Sequence, residues 1–232
     1  MSNNKIFWAS LSERCGAAND QCYNAMLDVA EHAGANGYMH MRSGYNRTDF
    51  ARNQYMKAFM EASDRDNDLL VMLDGDHKHP ADIISRFSAH DPQHGVVGAL
   101  AFRRGEPYDP LFFLRLNGAL HSTAEFEIGP TYPCAIVSTS AIAIRRWVLL
   151  ELTHKGYLPP FFRYEYPTDS NEPSEDMYFG RICEQAGIWH YVDTSIIIPH
   201  AANTWIDENV FKAYLEAHPR LVTEKKIEVP GA

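Results

Sequence analysis

Two carboxylates separated by one glycine follow an apolar run near the middle of the chain. Residues 69–73 are apolar, and Asp74, Gly75 and Asp76 come directly after them. A short apolar run bounded by charge predicts a central strand of an α/β sheet, and ligands of such sheets bind at the carboxyl ends of the strands. In an extended chain Asp74 and Asp76 would project the same way, with a divalent cation between them. Gly75 leaves room for an anionic ligand such as a diphosphate. The alternative is a solvated turn.

An arginine lies one element upstream of this acidic pair, in the segment Ala51-Arg52-Asn53. Arg52 falls on a different helix face from the apolar residues that would pack on a sheet. The planar guanidinium can donate two hydrogen bonds to a phosphate. The alternative for Arg52 is an exposed helix arginine with no ligand.

Two further acids open a later helix, at Glu175 and Asp176 after Ser174. Acids in a first turn are favoured by the helix dipole, which is the alternative explanation. A carboxylate at a rigid helix start can also be aimed at a substrate as a general base. The aromatic segment 159–173 precedes this helix, and we expect an ordered loop over a site there.

A strand-like run over residues 193–199 ends in His200. A neutral imidazole is a good ligand for manganese or another divalent ion. The alternative is a structural histidine. His77 and His79, beside the acidic pair, are either partners of the metal ligands or exposed.

Composition indicates a single globular domain. The chain has 232 residues, 45% of them hydrophobic and 22% charged, which is enough for one sizeable core. No run approaches the roughly 20 apolar residues of a membrane span. The first residues show no basic segment followed by an apolar core, so we expect a cytoplasmic protein. The four cysteines, Cys15, Cys22, Cys134 and Cys183, lack zinc-ligand spacing and are expected to be reduced thiols.

The net charge of −9 disfavours a broad electrostatic grip on nucleic acid. Arg103-Arg104 and Arg145-Arg146 remain candidates for a local basic groove. Periodicity predicts alternating strands and helices, followed by a looser segment in which residues 111–114 form part of a small antiparallel sheet. The predicted strands are 5–10, 37–41, 69–74, 96–100 and 135–144, and the predicted helices are 19–33, one capped by Thr48, one after Pro80, 147–152 and 175–186.

Four motifs, taken in chain order, resemble the metal-dependent GT-A fold glycosyltransferases, in particular their family-two-like and phage-type members. The motifs are Ala51-Arg52-Asn53, Leu73-Asp74-Gly75-Asp76, Ser174-Glu175-Asp176 and the run from Asp193 to His200. The match covers about Lys5 to Ala201. The resemblance implies an α/β fold with a mixed, mainly parallel central sheet flanked by helices and a small antiparallel subsheet. It also implies a single domain over residues 1–232. Residues 1–100 would bind the nucleotide sugar, residues 101–205 would form the acceptor and catalytic half, and residues 206–232 would form a C-terminal helix and tail.

The resemblance also implies roles for individual residues. Asp76, with Asp74, would hold Mn²⁺ (or Mg²⁺) on the donor diphosphate, and His200 would complete the metal shell. Asp176 would be the catalytic base, with Glu175 as the alternative. The donor-binding residues would be Arg52, Asn53, Asp74, Gly75 and Ser10.

The implied reaction moves a sugar from a nucleoside-diphosphate sugar, with a UDP-sugar favoured, to an acceptor hydroxyl. A single displacement would invert the anomeric centre, and a retaining outcome stays open. The acceptor is a glycan, a small molecule or a modified DNA base such as a hydroxymethylated base. Two other functions compete: a nucleotide-sugar-binding protein without catalysis, and a metal-dependent phosphatase. The phosphatase class expects Thr or Val two residues after the second acid, where this chain has Lys78.

Overall fold

The computed structural model describes residues 4–11, 20–41, 47–165, 174–202 and 205–219. Cys15 and residues 166–173 of the predicted loop therefore lie outside the described residues. The strands are β1 (Ile6–Leu11), β2 (Met39–Met41), β3 (Leu69–Asp74), β4 (Val96–Leu100), β5 (Phe112–Leu116), β6 (Ala119–His121), β7 (Thr131–Cys134), β8 (Ile136–Val137), β9 (Ala141–Arg145), β10 (His190–Ile197), β11 (His200–Ala201) and β12 (Trp205–Ile206). The helices are α1 (Asp20–Ala35), α2 (Thr48–Ala62), α3 (Ile83–Ser88), α4 (Arg146–His154), α5 (Glu175–Gln185) and α6 (Glu208–Ala217).

The centre of the fold is a seven-stranded sheet with the order β2-β1-β3-β9-β4-β10-β7. Strands β1, β2, β3, β4 and β10 run in one direction, while β9 and β7 run antiparallel to their neighbours. A smaller antiparallel sheet has the order β6-β5-β8. These strand directions confirm the predicted mixed, mainly parallel sheet with a small antiparallel subsheet.

The acidic strand β3 lies in the middle of this sheet and is buried on both faces. Met72 packs in a cluster that includes Phe59 of α2, whereas Val71 packs in a second cluster that includes Ile84 of α3. Successive residues of a strand face opposite sides, and both sides of β3 are covered by helices. The continuous apolar run is therefore explained by burial on two faces.

Several element boundaries differ from the predicted ones. Helix α2 begins at Thr48 with Arg47 in the cap position, and no side chain caps it. The Thr48 hydroxyl lies 3.1 Å from the Tyr164 hydroxyl instead. The predicted strand 135–144 is two strands, β8 and β9, separated by a turn in which the Ser138 and Ser140 hydroxyls are 2.8 Å apart. The polar run Ser138-Thr139-Ser140 marks this break in the sequence.

Cys22, Cys134 and Cys183 are buried and form no disulfide. Burial raises the pKa of the Cys134 thiol and that of the Cys183 thiol well above their usual values. These thiols are therefore protonated core residues. None of the helices in the described ranges combines the length and the apolar character needed to cross a membrane.

Candidate functional site

The end of β3 forms a turn that pairs with a strand from the C-terminal third of the chain. Strand β3 ends at Asp74, and Gly75 and Asp76 form a turn. The next residue, His77, forms a β-bridge with His200. The Ala201 amide donates to the Asp76 carbonyl at 3.0 Å. This backbone pairing brings His200 to Asp76 across 124 positions of sequence.

Asp76, His77 and His200 form a group whose potential metal-binding atoms lie within 4.8 Å of one another. Asp76 Oδ1 lies 2.9 Å from His77 Nδ1, and Asp76 Oδ2 lies 3.3 Å from His200 Nε2. The two imidazole rings stack with their centroids 4.1 Å apart. One carboxylate and two imidazoles therefore converge at the carboxyl edge of the sheet, where ligands of such sheets bind.

The hydrogen bonds of His200 identify which ring nitrogen carries a proton. Arg104 Nε and Nη2 lie 3.2 and 2.9 Å from His200 Nε2. A guanidinium only donates, so His200 Nε2 accepts and carries no proton. The Nδ1 nitrogen then donates to the Phe102 carbonyl at 3.1 Å. A backbone carbonyl that fixes the tautomer in this way leaves Nε2 with the lone pair that a metal needs.

The 3.3 Å contact between His200 Nε2 and Asp76 Oδ2 consequently joins two acceptors. Two acceptors can approach this closely when a positive group faces both, as Arg104 Nη2 does here. Neighbouring ligands around an octahedral ion with bonds of about 2.1 Å are spaced at roughly 3 Å. The separation of His200 Nε2 and Asp76 Oδ2 therefore fits two neighbouring ligands of a divalent ion.

The protonation states of the group also suit a metal. Arg104 Nη2 donates to Asp76 Oδ2, and a hydrogen bond from a guanidinium favours the ionised form of a carboxylate. Burial lowers the pKa of His77, against the raising effect of the Asp76 contact. An ionised carboxylate and neutral imidazoles are the forms that bind metals. In addition, the buried His77 Nε2 has no hydrogen-bond partner within the described part of the chain.

Asp74 does not join this group, which corrects the expectation that both acids would share one cation. The chain turns after Asp74, so the two-residue repeat of side-chain direction does not extend to Asp76. The Asp74 carboxylate instead accepts from Arg52 Nη2 at 2.8 and 3.0 Å. Burial raises the pKa of Asp74 to about 7, although the Arg52 charge acts in the opposite direction.

Arg52 connects the acidic strand to the late helix. It is 1% exposed, which rules out the exposed helix arginine. Its Nη2 reaches Asp74, and its Nη1 donates to Glu175 at the start of α5. Desolvation acts to lower the pKa of Arg52, but the charges of Asp74, Glu175 and Asp176 outweigh it and the pKa is raised. Arg52 thus forms a buried bridge between two carboxylates, and its contact with the nucleotide phosphates stays a prediction.

The two candidate bases at the start of α5 have different surroundings. Glu175 is buried and paired with Arg52. Asp176 is partly exposed, and its Oδ1 accepts from the Ser174 hydroxyl and from the Met177 amide at 2.8 Å. Asp176 is therefore the acid of this pair that a substrate can reach, while Glu175 anchors the helix start.

The amide of Asn53 is used inside the protein. Its Nδ2 donates to the carbonyls of Asp49 and Phe162 at 2.7 and 2.6 Å, and its Oδ1 accepts from the amides of Phe161 and Phe162 at 2.9 and 3.1 Å. These bonds fill the capacity of a side-chain amide. Asn53 accordingly positions the chain at Phe161–Phe162, and its contact with the donor stays a prediction.

Ser10 and Gly75 lie where the sequence placed them, at the carboxyl ends of adjacent strands. Ser10 pairs with Leu73 across β1 and β3, and its carbonyl accepts from the Tyr55 hydroxyl at 3.1 Å. Gly75 is buried in the turn between the two acids. Their contact with a donor stays a prediction.

Sequence reasoning did not assign two members of the site to it: His77 was named only as a partner of the ligands or an exposed residue, and Arg104 was not connected with the acidic pair. His77 is 2% exposed and touches Asp76, and its position beside an acid at a strand end was the available signal. Arg104 was considered only for a nucleic-acid groove. No local signal links Arg104 to Asp76, because the loop after β4 carries it there.

Known proteins share the fold of this chain rather than its sequence. No protein-family model matches the sequence, and no curated protein matches it. Among solved structures, A197 from STIV is similar over 85% of both chains, with 16% identity and a TM-score of 0.50. At this identity the likeness is one of fold.

Two further structures superpose more loosely. One is a glycosyltransferase involved in glycosylation of the major capsid of PBCV-1, with 11% identity over 71% of both chains and a TM-score of 0.36. The other is a variant of Drosophila β1,4-galactosyltransferase 7 in complex with manganese, UDP-Gal and xylobiose. It has 12% identity, covers 97% of this chain and 77% of its own, and has a TM-score of 0.40. The site's own geometry is therefore the basis for its chemistry.

Proposed function

We propose that this protein is a metal-dependent glycosyltransferase that moves a sugar from a nucleoside-diphosphate sugar, with a UDP-sugar favoured, to an acceptor hydroxyl. One observation carries the proposal: Asp76 Oδ2 and His200 Nε2, both acceptors, lie 3.3 Å apart at the carboxyl edge of the sheet and face one position, which the guanidinium of Arg104 contacts. The order of the four motifs that meet around this edge supports it. Mn²⁺ is favoured over Mg²⁺, because imidazole suits softer ions and Mg²⁺ prefers oxygen.

Asp76, His200 and His77 would hold the ion, which would act as a Lewis acid on the departing diphosphate. The chain's own contribution is to keep these ligands in their binding forms. The Phe102 carbonyl holds the His200 tautomer, and burial keeps His77 neutral. Gly75, between the two acids, adds no side chain that would block the diphosphate.

Asp176 would accept the proton of the acceptor hydroxyl as the hydroxyl oxygen attacks the anomeric carbon. Such a single displacement inverts the anomeric centre. The buried Arg52 bridge joins the start of α5, next to Asp176, to the end of β3, next to Asp76. It would thereby hold the base and the metal ligands at a constant separation, as catalysis by positioned groups requires.

A thermal-shift screen of nucleoside diphosphates with and without Mn²⁺ tests the proposal. A ligand that binds only the folded state raises the apparent stability by mass action. We expect UDP, or another single nucleoside diphosphate, to raise the Tm only when Mn²⁺ is present, and Asp76→Asn to abolish that shift. A screen without any metal-dependent shift would contradict the proposal.

Turnover is then measured with the matching nucleotide sugar. Slow hydrolysis of the donor, accelerated by the right acceptor, is the expected result. The acceptor screen covers glycans, small alcohols and DNA with hydroxymethylated bases. Binding without hydrolysis or transfer would favour the nucleotide-sugar-binding alternative, and release of inorganic phosphate would favour the phosphatase.

A further inference from the structure

The guanidinium of Arg104 contacts the same two atoms that would ligate the metal. Its Nη2 donates to Asp76 Oδ2 and lies 2.9 Å from His200 Nε2. On the basis of the proposed function, we infer that Arg104 competes with the metal for the position that faces Asp76 Oδ2 and His200 Nε2. Once displaced from that position, the guanidinium would bind the diphosphate of the donor.

The need for a cation at this position follows from the charges. The Asp76 carboxylate accepts from Arg104 Nη2, and the lone pair of His200 Nε2 points at the same guanidinium nitrogen. Two such acceptors 3.3 Å apart repel each other unless a positive group faces both. A single guanidinium nitrogen that contacts both acceptors supplies that charge through charge-assisted hydrogen bonds.

The position of Arg104 in the chain allows its side chain to move away from Asp76 and His200. Its side chain is 55% exposed, whereas His200 is 13% exposed. Arg104 lies in a turn that is closed by its own backbone, because the Arg103 amide donates to the Asp109 carbonyl at 2.9 Å. The side chain can therefore change rotamer while the turn and the two acceptors stay in place.

After displacement, the guanidinium of Arg104 can bind the diphosphate of the donor. Once a divalent ion occupies the site, the guanidinium is repelled from it but stays tethered at the mouth of the site. A diphosphate bound to that ion brings oxygens with residual negative charge to the same mouth, and arginine binds phosphate through two parallel hydrogen bonds. Arg104 thus lowers the affinity for the metal and raises the affinity for the donor.

The test measures both effects on the full chain. Mn²⁺ affinity is measured without nucleotide from the EPR signal of free Mn²⁺, and UDP affinity is measured by calorimetry at saturating Mn²⁺. We expect Arg104→Ala to tighten Mn²⁺ binding and to weaken UDP binding, each by roughly tenfold, as for one charge-assisted contact. Arg103→Ala is the matched control, because Arg103 is adjacent, has a side chain 50% exposed and forms an ion pair with the peripheral Asp109 at 3.9 Å. It should leave both affinities unchanged.

Each other outcome has a distinct meaning. Unchanged Mn²⁺ affinity in Arg104→Ala, or unchanged UDP affinity, overturns the inference. UDP binding that needs Arg104 but no metal also overturns it, because Arg104 would then replace the ion permanently. If neither wild type nor Arg104→Ala binds Mn²⁺, the proposed function itself fails. Circular dichroism confirms that the variants are folded.

Discussion

Asp74 and Asp76 are separated by one glycine, yet they belong to two different charge networks. Asp74 pairs with Arg52 inside the protein, whereas Asp76 contacts His77, His200 and Arg104 at the edge of the sheet. The turn after β3 sends the two carboxylates to different partners. Substitutions at the two positions should therefore have different effects.

Asp76→Asn should lower Mn²⁺ affinity by at least roughly tenfold, because an amide lacks the charge that offsets the dehydration of the ion. Asp74→Asn is the matched control and should retain Mn²⁺ binding, since Asp74 lies outside the ligand group. Titration of free Mn²⁺ measures both. Equal losses in the two variants would return Asp74 to the metal site.

Arg52→Leu should strongly destabilise the protein. Removing one partner of a buried ion pair leaves uncompensated charge and costs roughly 3–5 kcal/mol, and here two carboxylates lose their partner. Lys57→Ala, which breaks a pair whose side chains are 79% and 67% exposed, should cost less than about 1 kcal/mol. Urea denaturation provides the free energies of unfolding. Comparable costs for the two variants would contradict a structural role for the Arg52 bridge.

Stability should depend on pH through Asp74. Burial raises the pKa of Asp74 from 3.8 to about 7, so the folded state keeps a proton that the unfolded state has lost across this window. The contribution of this group to the free energy of unfolding therefore falls as pH rises from about 4 to 7. Asp74→Asn removes this dependence.

The difference between wild type and Asp74→Asn isolates the effect, because other groups titrate in the same range. Burial lowers the pKa of His79 to about 4, and its contribution is lost as pH falls from 6.5 towards that value. His79 is present in both proteins and its contribution cancels to first order. In thermal melts, the stability of the variant relative to wild type should increase between pH 4 and 7. A constant difference would show that the pKa of Asp74 is not raised.

Asp176→Asn should lower turnover by roughly a hundredfold or more, the worth of a positioned general base, while Mn²⁺ and UDP binding persist. Glu175→Gln should instead lower the free energy of unfolding, because the Glu175 carboxylate is buried against Arg52. Kinetics and denaturation on both variants separate the roles. Normal turnover in a folded Asp176→Asn protein would exclude Asp176 as the base.

His200→Ala should weaken Mn²⁺ binding and with it metal-dependent UDP binding. His79→Ala serves as a comparison, since its imidazole is also buried near the turn but hydrogen bonds to the Asp74 carbonyl at 2.7 Å and is not in the ligand group. That variant should lose stability and keep its Mn²⁺ affinity. An unaltered Mn²⁺ titration in His200→Ala would remove His200 from the site.

The sequence by itself determined the buried central strands of this protein and the edge of the sheet at which its polar residues meet. The run at residues 69–73 predicted a buried strand, because only a strand covered on both faces is apolar throughout. The same logic placed β4 at residues 96–100, as observed. Acids and glycine after a buried strand then indicated the carboxyl edge of the sheet.

Only the tertiary structure decided which of these residues are partners. Side chains alternate in direction only while the chain is a strand. The turn at Gly75–Asp76 therefore separates two acids that had been predicted to face the same way. Arg104 reached Asp76 through a loop, and Arg52 reached Glu175 across 123 positions. Such long-range ion pairs depend on where the sheet and helices bring distant segments together. Local propensity carries no information about that, because it describes each residue only with its neighbours in sequence.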